Sequence, residues 1–121
     1  MSLNITSSEP KIGHFLISLS GKLDTETYSR LETVLQQVVS DGIKSLTFDM
    51  AGLTYMSSMG LRVMVNMAKT MKKMKGELIV INPSHPIAAV LEIAKTLPSF
   101  SIFASVAEAD AYLANIQKQN P

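Results

Sequence analysis

The sequence contains no cysteine among its 121 residues. This absence excludes disulfide bonds, thiolate metal sites and a cysteine nucleophile, and it is compatible with a reducing compartment. Long apolar runs are also missing, since none approaches the ~18 residues of a membrane-spanning helix. The segment MSLNITSSEP lacks the basic start and apolar centre of a signal peptide. We therefore expect a cytoplasmic protein without membrane insertion.

An excess of charge of one sign is missing as well. Eleven basic and ten acidic residues leave a net charge of +1, which does not favour nucleic acid or a membrane surface as a partner. With 46% hydrophobic residues and no long linker, the chain is predicted to form a single domain. We expect this domain to span residues 1–121, with an ordered core of about 12–117 and loosely ordered ends.

Strand-like segments recur along the chain and are separated by helix-like ones. FLISLS (15–20) is typical of a buried strand that ends at Gly21, and the weaker stretch 3–7 could pair with it through a turn at EPKIG. SLTFDM (45–50) and ELIVIN (77–82) are predicted strands, and SIF (101–103) is a possible short edge strand. The helix-like segment between 45–50 and 77–82 favours parallel pairing of those two strands.

Four helices are predicted from apolar spacing and capping signals. The first follows Asp24 or Thr25 as N-cap, carries Leu31, Val34, Leu35 and Val38 at helical spacing and ends before Gly42. The others are 58–75, a Ser84-capped helix to about 96, and a helix over 105–116 that opens with the capping-box pattern SVAE. The fold class is therefore α/β, with a small mixed sheet of four to five strands and four α-helices.

Two adjacent serines, Ser57 and Ser58, begin the predicted helix 58–75 in the run YMSSMGLR. One serine can cap the helix and stabilise it by roughly 1 kcal/mol, which leaves the second available to solvent or to another protein. Helix starts favour negative charge, and no Asp or Glu lies between Met50 and Gly76. A phosphate would add about −1.5 to −2 charges there and reverse the local field.

The same helix carries two apolar stripes in helical projection. Leu61, Met64, Val65, Ala68 and Met71 form the natural core face, whereas Met59, Val63, Met67 and Met74 form a second stripe. Methionine suits surfaces that adapt to partners, so the second stripe is either a partner surface or is covered by a neighbouring helix.

The run LTFDMAGLTYMSSMGLRVMV resembles the signature of the STAS domain family, which is named for sulfate transporters and anti-sigma-factor antagonists. The family positions are matched by Asp49, Tyr55, Met56, Ser57, Ser58, Met59, Gly60 and Leu61, and SLSGKLDTET resembles the turn into the family's first helix. The resemblance extends from about Phe15 to Leu113. Two positions depart from the usual pattern. Several antagonists have Asp where this chain has Ser57, and Met59 replaces a customary Ser or Ala.

The resemblance to the antagonist branch implies a function by partner switching. The unmodified protein would bind an anti-sigma factor that is also a serine kinase of the histidine-kinase-like ATPase fold, and would thereby release a sigma factor. Phosphorylation at Ser58, with Ser57 as the second candidate, would break the contact, and a metal-dependent serine phosphatase would restore it. The expected partner surface comprises Asp24, Tyr55, Met56, Ser57, Met59, Gly60, Arg62, Val63 and Met67. We expect a monomer that itself holds no cofactor or metal.

Two other functions are less well supported by the sequence. A non-catalytic accessory subunit of a transporter or of a multi-protein signalling complex is a second use of the wider family. An enzyme would need a base beside Ser58, but the two histidines, His14 and His85, are placed by the sequence at a strand start and in the first turn of a helix. Asp49 has no second carboxylate nearby in sequence, so hydrogen bonding within its loop is expected for it instead of metal binding.

Overall fold

A computed structural model describes residues 3–94 and 101–103, with side chains described over 3–92. Its elements in chain order are β1 (Leu3–Lys11), β2 (His14–Leu23), α1 (Tyr28–Val38), β3 (Ser45–Met56), α2 (Ser58–Lys73), β4 (Glu77–Ile81), α3 (His85–Ala94) and β5 (Ser101–Phe103). The helix predicted over 105–116 lies outside the described residues. Within residues 3–94, no helix is both long and apolar enough to span a bilayer.

The strands form one five-stranded mixed sheet in the order β1-β2-β3-β4-β5. β1 pairs antiparallel with β2, and the remaining neighbours pair in parallel. The predicted parallel pairing across α2 is confirmed, as is the short edge strand 101–103. The fold is thus an α/β domain with a mixed sheet, and three helices lie within the described residues.

The main core lies between one face of the sheet and the helices. Leu46, Phe48 and Met50 of β3 alternate into this core, and all three are fully buried. From α2, Met64 and Met71 join the same cluster, as the predicted core face of that helix requires. Burial of large apolar side chains of this kind is worth about 1.5–3 kcal/mol each, so this face fixes α2 against β3 and β4.

The sheet begins earlier than expected. Leu3 lies in the segment predicted to be a loose tail ahead of residue 12, yet it is fully buried in the core cluster and pairs with Gly21. The link from β1 to β2 is a tight turn in which Gly13 adopts φ +83 and its N–H donates to Glu9 Oε2 at 2.9 Å. The weak strand signal over 3–7 is therefore confirmed, because an apolar residue at the very start anchors it.

Two strands are longer than the sequence predicted. β2 continues through Gly21, which takes φ +101, to the buried Leu23. β3 continues to Met56, so the prediction that this strand ends at Met50 is wrong. Its extension pairs with β2 through two register shifts and buries Leu53. The extra residue at each shift obscured the alternation of apolar side chains on which the prediction depended.

Candidate functional site

The site is built where the carboxyl ends of β2 and β3 meet the start of α2. The N–H of Ser57 donates to the Leu23 carbonyl at 2.9 Å, which ties the chain leaving β3 to the last residue of β2. Ser57 is extended (φ −85, ψ 174), and its Oγ accepts from the Gly60 N–H at 3.3 Å. Ser57 is thus the N-cap of α2, and its hydroxyl is used to stabilise the helix start.

Gly60 lets the first turn of α2 lie directly on the end of β2. A Cβ at this position would lie 2.8 Å from Leu23 Cγ and 2.9 Å from the Leu23 carbonyl oxygen. Both distances are shorter than real Cβ contacts allow. The glycine of the predicted motif is therefore required by packing, and a larger residue would push the helix start away from the sheet.

Ser58, the first residue of α2, is exposed. Within the described part of the chain, no group forms a hydrogen bond with its hydroxyl. Ser57 and Ser58 therefore differ in role although they are neighbours. The first hydroxyl is engaged in capping, and the second is open to solvent.

Asp24 was one of two residues predicted to cap α1, but it organises the turn between β2 and α1 instead. Its Oδ1 accepts from the N–H groups of Glu26 and Thr27 at 3.0 and 3.1 Å, and its own N–H donates to Thr27 Oγ1 at 2.9 Å. Thr27 Oγ1 also donates to the Lys22 carbonyl. Because these bonds form a turn over 24–27, α1 begins at Tyr28, later than the sequence suggested.

Asp49 acts as expected, through hydrogen bonds. Its Oδ1 accepts from the Ala51 N–H at 3.0 Å and from Asn82 Nδ2 at 3.3 Å. Asn82 follows β4 and adopts φ 57. The carboxylate therefore links the residue that follows β4 to the point in β3 where its extension toward Ser58 begins.

The exposed side of α2 is positively charged. Arg62, Lys69 and Lys73 are exposed, and they share one side of the helix with Ser58 in helical projection. The whole helix, Ser58–Lys73, contains no acidic residue. A partner approaching this side meets a basic ridge that begins at the exposed serine.

The expected partner residues divide by burial. Tyr55 is half exposed and Arg62 is exposed, whereas Met59 and Met67 are half-buried. Met56, Gly60 and Val63 are buried, so their side chains shape the site from beneath. Contact of the exposed members with a partner stays a prediction.

The second apolar stripe of α2 lies partly against α1. Val63 is only 4% exposed, and Met67 and Met74 pack against the core cluster. An open groove of about 450 Å³ remains between the two helices, with Leu35 of α1 and Val39 just after it facing Val63 and Met67 of α2. The neighbouring helix α1 thus accounts for Val63 and Met67 of the stripe, in agreement with one of the two alternatives.

His14 lies at the opposite edge of the sheet from Ser58. His14 Nδ1 is 2.7 Å from Ser45 Oγ, and both residues stand at the amino ends of adjacent parallel strands, opposite the end that leads to Ser58. Burial, followed by the nearby ammonium groups of Lys44 and Lys11, lowers the pKa of His14 from its ordinary value. His85 begins α3, shortly after the end of β4. The last residue of β3 that pairs with β4 is Asp49, and β3 continues beyond it to Met56 before α2 begins.

Two structural residues of the site were missed from the sequence. Thr27 could have been found, because Asp24 and Thr27 have the three-residue spacing of reciprocal side-chain capping. Leu23 could not, since its contact with Gly60 joins segments that are distant in sequence.

The sequence and the fold match those of known proteins. The family model of the STAS domain matches residues 7–109 of the chain. This chain belongs to the STAS domain family. Its curated relatives include the anti-sigma-B factor antagonist of Staphylococcus aureus strain NCTC 8325, which is 31% identical over 94 residues, or 77% of this chain and 85% of the relative.

Solved structures of anti-sigma factor antagonists share the fold. An anti-sigma factor antagonist from Mycobacterium paratuberculosis has a TM-score of 0.75 at 21% identity, with 93% of this STAS domain and 95% of that chain covered. The anti-sigma factor antagonist SpoIIAA in its unphosphorylated form has a TM-score of 0.77 at 18% identity, with 93% and 97% covered. SpoIIAA from Bacillus in its phosphorylated form has a TM-score of 0.72 at 18% identity, with 91% and 99% covered.

Proposed function

We propose that this STAS domain is an anti-sigma factor antagonist whose binding is switched by phosphorylation of Ser58. The unmodified protein binds an anti-sigma factor that is a serine kinase of the histidine-kinase-like ATPase fold, and a sigma factor is released for transcription. The kinase transfers the γ-phosphoryl group of ATP to Ser58 Oγ, with loss of the hydroxyl proton and departure of ADP. A metal-dependent phosphatase hydrolyses the ester with water and restores the binding form.

The observation that carries the proposal is the difference between the two serines. The Ser57 hydroxyl already accepts from the Gly60 N–H, so its modification would remove the cap of α2. The Ser58 side chain is exposed at the same helix start, and a kinase can reach it without disturbing the fold. SpoIIAA, which has the same fold, has been solved in unphosphorylated and phosphorylated forms.

The electrostatics explain how a phosphate there would act as a switch. A helix start favours negative charge, so the modified residue would be tolerated by the folded domain. For the partner, the phosphate would add −1.5 to −2 charges to a surface that is basic in the unmodified protein. A negative charge buried in an interface without a counter-charge costs several kcal/mol, which is enough to separate the two proteins.

Intact-mass and peptide mass spectrometry test the assignment. After incubation with a cognate ATPase kinase and ATP, we expect one added phosphate, located at Ser58 and absent from Ser58→Ala. The matched control is Ser57→Ala, which should still accept one phosphate. Undiminished phosphate incorporation in Ser58→Ala would reject Ser58 as the site.

Two further measurements, co-purification and an assay of turnover, separate the proposal from the two other candidate functions. Stable co-purification with a membrane ATPase or scaffold, without phosphate exchange, would favour an accessory subunit. Substrate turnover by the purified protein alone, lost in Ser58→Ala, would favour a hydrolase. The proposal assigns the nucleotide and the metal to the kinase and the phosphatase.

A further inference from the structure

Arg62 lies one helical turn after Ser58 on the exposed side of α2. Both residues are exposed, and residues four apart on a helix have Cβ atoms about 5–6 Å apart. An anion placed four residues before a cation has the favourable orientation for such a pair. The arginine side chain is long enough for its planar guanidinium to present two N–H groups to a phosphate on Ser58.

Arg62 is also the nearest cation on the helix. The next one, Lys69, lies about 16 Å from Ser58 along the axis at 1.5 Å per residue. The neighbouring elements contribute Lys22 near the end of β2, Asp24 and Glu26 from the turn between β2 and α1, and Tyr55 from the end of β3. The two carboxylates of that turn would repel a phosphate at the helix start. A cation on α2 itself would offset this repulsion.

We propose that Arg62 binds the phosphate of modified Ser58 within the same helix. The inference rests on the proposed function, and it names the residue through which the modification acts. In the unmodified protein the Arg62 guanidinium is part of the exposed basic ridge and is available to contact the partner. After modification the phosphate holds the guanidinium, so a single event adds an anion and withdraws a cation from the same surface.

The pairing can be measured without a partner. Phosphoserine is incorporated at position 58 during synthesis of the full chain, and the second pKa of the phosphate is determined by ³¹P NMR titration. A nearby cation favours the dianion and lowers this pKa. We expect Arg62→Gln to raise it by about 0.15–0.4 pH units relative to the phosphorylated parent.

Two variants control for other effects. Lys69→Gln removes the same unit of charge from the same helix and should raise the pKa by about 0.1 unit or less, since it is more than a Debye length away. Arg62→Lys keeps the charge but loses the planar fork, and it should recover part of the shift. Circular dichroism of each variant establishes that the fold is retained, as expected for exposed residues.

Equal pKa values for the parent and Arg62→Gln would overturn the inference, as would equal shifts for Arg62→Gln and Lys69→Gln. Neither result depends on a kinase, because the phosphoserine is installed during synthesis. Conversely, an anti-sigma factor that bound the modified and unmodified chains equally would refute the proposed function and leave the Arg62 pairing intact.

Discussion

Replacing Gly60 with alanine tests how the site is held together. The new Cβ would lie 2.8 Å from Leu23 Cγ, 2.9 Å from the Leu23 carbonyl oxygen and 3.0 Å from Leu23 Cδ2. The leucine side chain is itself fully buried, and the carbonyl belongs to the sheet, so neither can yield freely. We expect the start of α2 to move away from β2, which would strain the bond from the Ser57 N–H to the same carbonyl.

The magnitude follows from three contributions. Overpacking of this kind costs about 1–3 kcal/mol, and a weakened backbone hydrogen bond costs about 0.5–1.5 kcal/mol. Alanine in place of glycine within a helix returns about 1 kcal/mol. The free energy of unfolding should therefore fall by about 1–3 kcal/mol.

Urea denaturation followed by circular dichroism measures this change. With a slope of about 1–3 kcal/mol per molar urea for a small protein, the midpoint for Gly60→Ala should fall by about 1 M. The matched control is Ser58→Ala, two residues earlier, whose exposed side chain should change the free energy of unfolding by less than about 0.5 kcal/mol. A Gly60→Ala protein as stable as the parent would refute the close contact between α2 and β2.

Two further predictions concern Ser57 and His14. Ser57→Ala removes the cap of α2 and should lower the free energy of unfolding by about 1 kcal/mol; a urea midpoint unchanged from the parent would contradict the capping role. The pKa of His14 is lowered in the folded protein, so its neutral form contributes stability above the unfolded pKa of about 6.5, and this contribution is lost as the pH falls through the folded value. The stability advantage of the parent over His14→Gln should therefore shrink between pH 7.5 and 5, and an advantage that grew on acidification would contradict the environment assigned to His14.

Local signals were sufficient for much of the fold. Helix α2 was predicted from Ser58 because a hydroxyl pair precedes a sustained 3.6-residue apolar pattern. Strand β4 was predicted because the short aliphatic run 77–82 is bounded by Gly76 and Pro83. Both depend on interactions within a few residues. The observed helix and strand agree with these predictions because tertiary packing reinforces the structure that the local sequence favours.

Long-range interactions account for what was not predicted. The extension of β3 depends on pairing with β2 through two register shifts, and no local pattern specifies a partner strand. The start of α1 was misplaced because Asp24 has two ways to satisfy nearby N–H groups, as a helix cap or as the centre of a turn. The structure adopts the turn, which is closed by Thr27.

In the candidate site, too, some features could be predicted from the local sequence and others depend on long-range contacts. The choice of Ser58 over Ser57 could be stated from the resemblance alone, but its physical reason required the structure. The Ser57 hydroxyl is engaged with Gly60, and the Ser58 side chain is exposed. The coverage of Val63 and Met67 by α1 depends on how two helices pack, which the projection of one helix cannot show.

The affinity of an anti-sigma factor for the two forms of Ser58 tests the central claim most directly. Isothermal titration calorimetry would compare the unmodified chain with the chain carrying phosphoserine at position 58, with Ser58→Ala as the form that cannot be modified. We predict that the unmodified chain and Ser58→Ala bind alike, and that the phosphorylated chain binds at least tenfold more weakly, a difference of about 1.4 kcal/mol or more. Equal affinity for the phosphorylated and unmodified chains would contradict the claim that Ser58 switches the interaction.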